Sequence, residues 1–259
     1  MKKALCIETL YTDMAFYDRF ALAARDGYQY IEFWTWQNKD LDRIRELCQK
    51  NDLKVAAFSG DQDYSLCDVS QAGRYIDFIY QSIQAAKKLN CSFLVIHSNA
   101  LGEGGIVVNH YTDRSDAEKY GACLDMLMRC GTLAEQHGVT LVLEPLNSLY
   151  DHVGNYLTTP EKTAQLVREA ASPAIRMLFD IYHMQIMTGN IINTLTKYRE
   201  EIGYIHVADV PGRKEPGTGE INYANVFRTL RDQGYTGFVG LECIADPPFD
   251  QATVLFLRM

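Results

Sequence analysis

A chain of 259 residues, 47% hydrophobic and 22% charged, has the composition of an ordinary soluble domain and a length close to the roughly 250 residues of one (β/α)8 barrel. Its formal charge of −8 speaks against nucleic acid and anionic membranes as partners, and no apolar run approaches the roughly 18 residues of a membrane helix. The seven cysteines, at 6, 48, 67, 91, 123, 130 and 243, are odd in number and include no C-x-x-C pair. That pattern predicts free thiols in a reducing cytoplasm and argues against a zinc–thiolate site.

In chain order, the start MKKALCIETLYTD runs from two lysines into a strand pattern, without the apolar stretch of a signal peptide. Short β-rich runs then alternate with longer amphipathic ones. Strands are predicted at 4–8, 28–33, 54–59, 92–97, 139–144, 175–180, 203–207 and 238–243, and several, such as SFLVIH and TLVLE, are continuously apolar as buried parallel strands are. Helices are predicted at 15–26, 41–51, 72–89, 116–137, 160–169, 191–201 and 223–233. Gly27, Gly138 and Gly234 follow helix ends where a positive φ is expected, and Thr159-Pro160 reads as an N-cap with proline at the first helical position. Unbroken βα alternation, with no linker or repeat, predicts an α/β fold: one (β/α)8 TIM barrel spanning 1–259. After the eighth strand only residues 244–259 remain, so the last helix is expected to be short, and an open doubly wound sheet is the alternative.

In a (β/α)8 barrel the chemistry sits at the C-terminal ends of the strands. Glu144 ends the fifth predicted strand, Asp180 the sixth, His206 lies on the seventh and Glu242 on the eighth. Singly, Asp180 reads equally as a helix N-cap and His206 as a core histidine. Together, three carboxylates and an imidazole from consecutive strands form an oxygen-rich set suited to one divalent ion such as Mn²⁺, Mg²⁺ or Co²⁺. His183, Gln185, Arg213, Lys214, Glu32, His97, Trp34 and Trp36 fall near the same mouth. Of these, His183, Arg213, Glu32, His97 and Trp34 are the candidate substrate contacts. Glu220 is expected to steady the Gly-rich loop or pair with Arg213, and Tyr11 to reach the mouth from the first loop.

The segments LVLEPLN, LFDIYHMQIMTGN, YIHVADVPGRKEPGTGEINY and GYTGFVGLE resemble the xylose-isomerase-like barrel superfamily, and most closely the hydroxypyruvate isomerase family. The resemblance is concentrated between Val139 and Glu242 and continues more weakly into the first half, where YQYIEFW resembles the second strand. It implies that Glu144, Asp180, His206 and Glu242 hold one divalent metal. It also implies that Glu144 and Glu242 are the acid/base pair, and that His183 and Arg213 bind substrate oxygens. The implied reaction is enediolate proton transfer in a small sugar or keto-acid, with hydroxypyruvate to tartronate semialdehyde as the family's case. The chain departs from the family in its WTWQNKD loop, in lacking a basic residue shortly after Glu242, and in its abbreviated last helix. A ketose 3-epimerase would share metal and glutamates. A trinuclear-zinc AP endonuclease would need more histidines and a basic groove, and a non-catalytic subunit would not need the four ligands. Pairing of barrels into a homo-oligomer is compatible with the sequence.

Overall fold

The computed structural model describes all 259 residues, the side chain of Asp250 excepted. Eight parallel strands close into a barrel in sequence order: β1 (Lys2–Cys6), β2 (Tyr30–Phe33), β3 (Lys54–Ser59), β4 (Phe93–Ile96), β5 (Thr140–Leu143), β6 (Ile175–Asp180), β7 (Ile202–Val207) and β8 (Phe238–Leu241). β8 returns to β1 in register from Lys2↔Phe238 to Leu5↔Leu241. That closure overturns the open doubly wound alternative. Around the barrel lie α1 (Arg19–Arg25), α2 (Leu41–Lys50), α3 (Ala72–Lys88), α4 (Asp116–His137), α5 (Pro160–Glu169), α6 (Ile181–Met187), α7 (Ile191–Lys197), α8 (Tyr223–Asp232) and α9 (Asp250–Arg258). Among the described residues no helix is long and apolar enough to cross a membrane.

Alternation along each strand sorts side chains into two cores. Ala4, Ala56, Val95, Val142, Leu178, Tyr204 and Phe238 form one cluster. Their strand neighbours Leu5, Val55, Leu94, Leu141, Phe179, Ile205 and Val239 pack into the larger cluster that includes the helices. The helix punctuation follows local chemistry. Ser115 and Glu118 form a reciprocal capping box at the start of α4, and Gly138 ends it at φ +67. Thr159 caps α5 with Pro160 in its first turn, and Gly27 and Gly234 also have positive φ.

Beyond shifts of one or two residues at element ends, with β1 at Lys2–Cys6 rather than 4–8, three helical segments differ from expectation. The 15–26 segment opens with a 3-10 turn (Phe16–Asp18) before α1. Helix α7 stops at Lys197. Helix α6 was not predicted at all: Ile181, Tyr182, His183 and Met184 are buried in succession, which hides the helical period that a half-exposed helix displays. The last helix is short, as expected, at nine residues.

Candidate metal centre and active site

Strand register brings the predicted residues together. Asp180 pairs with His206 across β6 and β7, and His206 with Gly240 across β7 and β8. Glu144 and Glu242 follow the last residues of β5 and β8. One ligand-type atom from each of Glu144, Asp180, His206 and Glu242 lies within 4.8 Å of the others, and all four residues are buried.

Each of the four turns one polar atom inward and another toward the surrounding protein. His206 Nδ1 lies 3.1 Å from Glu242 Oε2 and 3.8 Å from Glu144 Oε1. Neither contact is aligned as a hydrogen bond, so Nδ1 and Glu144 Oε1 are buried without a partner. On the far side of the ring, Nε2 faces Glu32 Oε1 at 3.3 Å, a charge contact rather than an aligned bond. The other Glu32 oxygen accepts the Tyr204 hydroxyl at 2.5 Å. Glu144 Oε2 faces His97 Nε2 at 3.4 Å, and His97 Nδ1 lies 2.9 Å from Asp61 Oδ1. Asp180 Oδ1 accepts the backbone N–H groups of Tyr182 and His183 at 2.7 and 3.3 Å, capping α6, while Oδ2 faces Arg213 and His183. Asp180 is thus both an N-cap and a member of the cluster. Glu242 Oε1 accepts the Trp34 indole N–H at 2.7 Å, and Oε2 accepts from Arg213 at 2.6 Å.

The electrostatics fit a dication. Burial pushes the Asp180 carboxyl up to about 7, against the pull of Arg213 and with repulsion from Glu144. Burial also opposes ionisation of Glu242, but Arg213 and His206 hold that carboxyl well below the usual range. Burial disfavours the imidazolium of His97, yet Asp61 and then Glu144 raise its pKa to about 10. A divalent ion among the inward atoms would relieve both the unpartnered lone pairs and the crowded carboxylates.

His183 differs from the other histidines. Burial and then Arg213 drive its pKa well below the usual value, keeping the ring neutral. Asn147 Oδ1 accepts the backbone N–H groups of Tyr150 and Asp151, so its Nδ2 donates to Asp151 and to His183 Nδ1. With Nδ1 an acceptor, the ring proton resides on Nε2, which is buried without a hydrogen-bond partner.

Glu144, His206, Glu242 and His183 line a cavity of about 310 Å³, walled by Phe33, Trp34, Phe58, Leu101 and Leu146. Glu32, His97, His183, Arg213 and Trp34 all reach it. Trp36 does not: its indole donates to Ser82. Tyr11 turns away from the mouth, donating to Asp26 and packing on Phe249. Glu220 accepts from Gln185 and makes no contact with Arg213. Lys214 pairs with Asp246 at the exposed rim.

The steadying role expected of Glu220 falls to Asp209, whose carboxylate accepts the backbone N–H groups of Val210, Gly217 and Ile221. That loop holds Arg213 at φ +57, a costly conformation for a non-glycine residue. Sequence reasoning assigned no role to Asp61, Asn147 or Asp209. Asp61 and Asp209 lie two residues past their strands and Asn147 three past Glu144, so the signal for all three is a polar residue just beyond a strand end.

A family model described as a xylose isomerase-like TIM barrel matches residues 20–256. Over 248 residues the chain is 26% identical to hydroxypyruvate isomerase of Escherichia coli (strain K12), covering 91% of this chain and 90% of that one. It is 29% identical over 243 residues to 2-oxo-tetronate isomerase of Cupriavidus necator, again with 91% and 90% covered. Among solved structures, an AP endonuclease, family 2, from Brucella melitensis superposes with a TM-score of 0.90 at 23% identity, covering 99% and 98% of the two chains. A 3-keto-D-glucoside 4-epimerase from E. coli gives 0.83 at 20% identity, covering 100% and 99%. The IOLI protein with a binding zinc atom gives 0.79 at 19% identity, covering 100% and 94%. At these identities the structural likenesses speak to fold alone.

Proposed function

The chain belongs to the xylose isomerase-like TIM barrel family, and on that premise we propose that this enzyme is a divalent-metal-dependent isomerase of small α-hydroxy carbonyl compounds. Relatives that match nine-tenths of the chain are isomerases, and hydroxypyruvate, the substrate named for one of them, is the first candidate. The observation that carries the reading is the convergence of Glu144, Asp180, His206 and Glu242 within 4.8 Å at one barrel mouth. The donor set is three carboxylates and an imidazole without thiolate, which favours Mn²⁺, Mg²⁺ or Co²⁺. All seven cysteines are buried free thiols, in keeping with a cytoplasmic setting.

The bound cation would supply Lewis-acid stabilisation of the negative charge that develops on the substrate oxygens as a proton leaves carbon. The protein's own groups divide the remaining work. Glu144 and Glu242 are the carboxylates placed to take the proton from one carbon and return one to its neighbour. His183 donates its Nε2 proton to a substrate oxygen, as a neutral donor without an aligned hydrogen bond in the protein, Asp180 Oδ2 lying 3.6 Å away. Arg213 adds positive potential beside Glu242 and Asp180. Gln62 Oε1, also buried without a partner and on the cavity wall, is an acceptor for a substrate hydroxyl.

The test is deuterium exchange followed by NMR in D₂O, with metal-replete protein given hydroxypyruvate and, separately, D-fructose or D-tagatose. The expected result is exchange at C3 of hydroxypyruvate with formation of tartronate semialdehyde, lost in Glu242→Gln. Exchange with the ketoses alone would replace the substrate assignment with a sugar epimerase. No exchange with any of them, in protein carrying metal, would defeat the proposed substrate class.

A further inference from the structure

The WTWQNKD loop, one of three places where the chain departs from the family it resembles, begins at the Glu144–Asp180–His206–Glu242 cluster. Trp34 opens the loop. It is 47% exposed, yet its indole N–H is held 2.7 Å from Glu242 Oε1. The rest of the loop is pinned to the barrel. Trp36 donates to Ser82, which in turn donates to the Gly60 carbonyl. Lys39 pairs with Glu8 at 2.7 Å and donates to the Thr35 carbonyl. Asp40 caps α2 through the backbone N–H groups of Asp42 and Arg43. The exposed indole is therefore presented by a tied-down segment.

Among the three carboxylates of the cluster, an aligned N–H holds the outward oxygen of two. Asp180 receives backbone N–H groups from α6, and Glu242 receives Trp34. The corresponding contact of Glu144 is the 3.4 Å approach of His97. We propose that Trp34 is a positioning residue. Resting on the metal reading of the site, its N–H fixes Glu242 Oε1 and leaves Oε2, beside His206 Nδ1 and Arg213, as the oxygen that would hold the cation. The same ring walls the substrate cavity, so one exposed side chain both bounds the pocket and sets the rotamer of a ligand. The rotamer of Glu242 then depends on a loop residue whose ring is half in solvent, whereas Asp180 is held by backbone groups that a side-chain change cannot remove.

The first test needs neither metal nor substrate. The chain has two tryptophans, hence two indole N–H resonances, and the one lost when residue 34 is replaced by β-(3-benzothienyl)alanine belongs to Trp34. In Glu242→Ala the Trp34 resonance is expected to shift while that of Trp36 stays in place. An unmoved Trp34 resonance would overturn the proposal. The benzothienyl residue keeps the ring and removes only the N–H, so it separates donation from packing. Calorimetric titration with Mn²⁺ alone is expected to show binding weakened by about tenfold or more in that protein, as for outer partners of metal ligands. An unchanged Mn²⁺ affinity would overturn the Trp34 proposal and leave the metal site standing. Failure of the unsubstituted protein to take up Mn²⁺ would overturn the metal reading and this proposal with it.

Discussion

Asp61 lies two residues beyond β3, with His97 between it and Glu144. One of its oxygens faces His97 Nδ1 at 2.9 Å; the other accepts the His97 backbone N–H at 2.6 Å and the Tyr75 hydroxyl at 3.2 Å. The carboxylate thus fixes both the ring and the backbone of His97, and through Nε2 it keeps a positive charge against Glu144 Oε2. Asp61→Asn keeps the size and one acceptor but removes the charge that sustains the imidazolium. On the proposed metal-dependent reading, turnover is expected to fall about 10–100-fold, the usual cost of losing an outer partner of a metal ligand. The unpaired buried groups should cost about 1–3 kcal/mol of stability. Turnover measured beside urea unfolding separates the two effects, and activity within about twofold of the parent would exclude a positioning role for Asp61. A comparable constraint acts at Gly240, where any Cβ would collide with both Glu32 carboxylate oxygens. The bare backbone at that point in β8 is what admits Glu32 beneath His206.

At the scale of elements, the positions where sequence was readable are those where a local rule has one outcome. Ser115 accepts the Glu118 backbone N–H while the Glu118 carboxylate accepts the Ser115 N–H, and both partners lie within one helical turn. The start of α4 is therefore written in four consecutive residues. Ser115→Ala should cost about 1 kcal/mol, seen as a lower midpoint in thermal or urea unfolding with the site unaffected; an unchanged midpoint would show that α4 is held by tertiary packing alone.

The metal-type residues were legible for a related reason. Parallel strands of predictable length deliver the side chains at and just past their ends to one mouth, so Glu144, Asp180, His206 and Glu242 can be placed from the strand pattern. The supporting residues could not be placed that way. Asp61 and Asn147 act through contacts spanning 36 residues of chain each, and no short-range pattern encodes such a pairing. Helix α6 was hidden because a helix buried on nearly every side has no polar face to display. The Glu220–Arg213 pairing failed because Arg213, once folded, pairs with Asp180 at the end of β6 and Glu242 just past β8.

For the whole molecule the decisive event is the return of β8 to β1, and the short C-terminal segment is what covers that seam. Helix α9 lies against the outside of β1. Lys3 Nζ donates to the carbonyls of Phe256 and Leu257 at 2.7 and 2.9 Å, supplying donors to carbonyls that a helix end leaves free. The Tyr28 hydroxyl donates to the Thr253 carbonyl, and the fully buried Phe256 ring stacks on Tyr28 and leans on Phe227. One turn of α9 therefore joins β1, the approach to β2, and α8. Phe256→Ala would leave a cavity among these elements and is expected to cost about 3–5 kcal/mol, a large part of the roughly 5–15 kcal/mol that holds a domain folded. Because the ring packs outside the barrel wall while the Glu144, Asp180, His206 and Glu242 cluster lies at the strand ends, turnover at low temperature should survive as the unfolding midpoint drops. Urea unfolding followed by circular dichroism, beside an activity assay at 15 °C, checks both halves. A loss below about 1 kcal/mol, well under the range for a buried phenylalanine, would mean that the seam is closed by strand pairing alone. Loss of turnover in protein that remains fully folded would mean instead that α9 helps to hold the end of β8, and with it Glu242, in place.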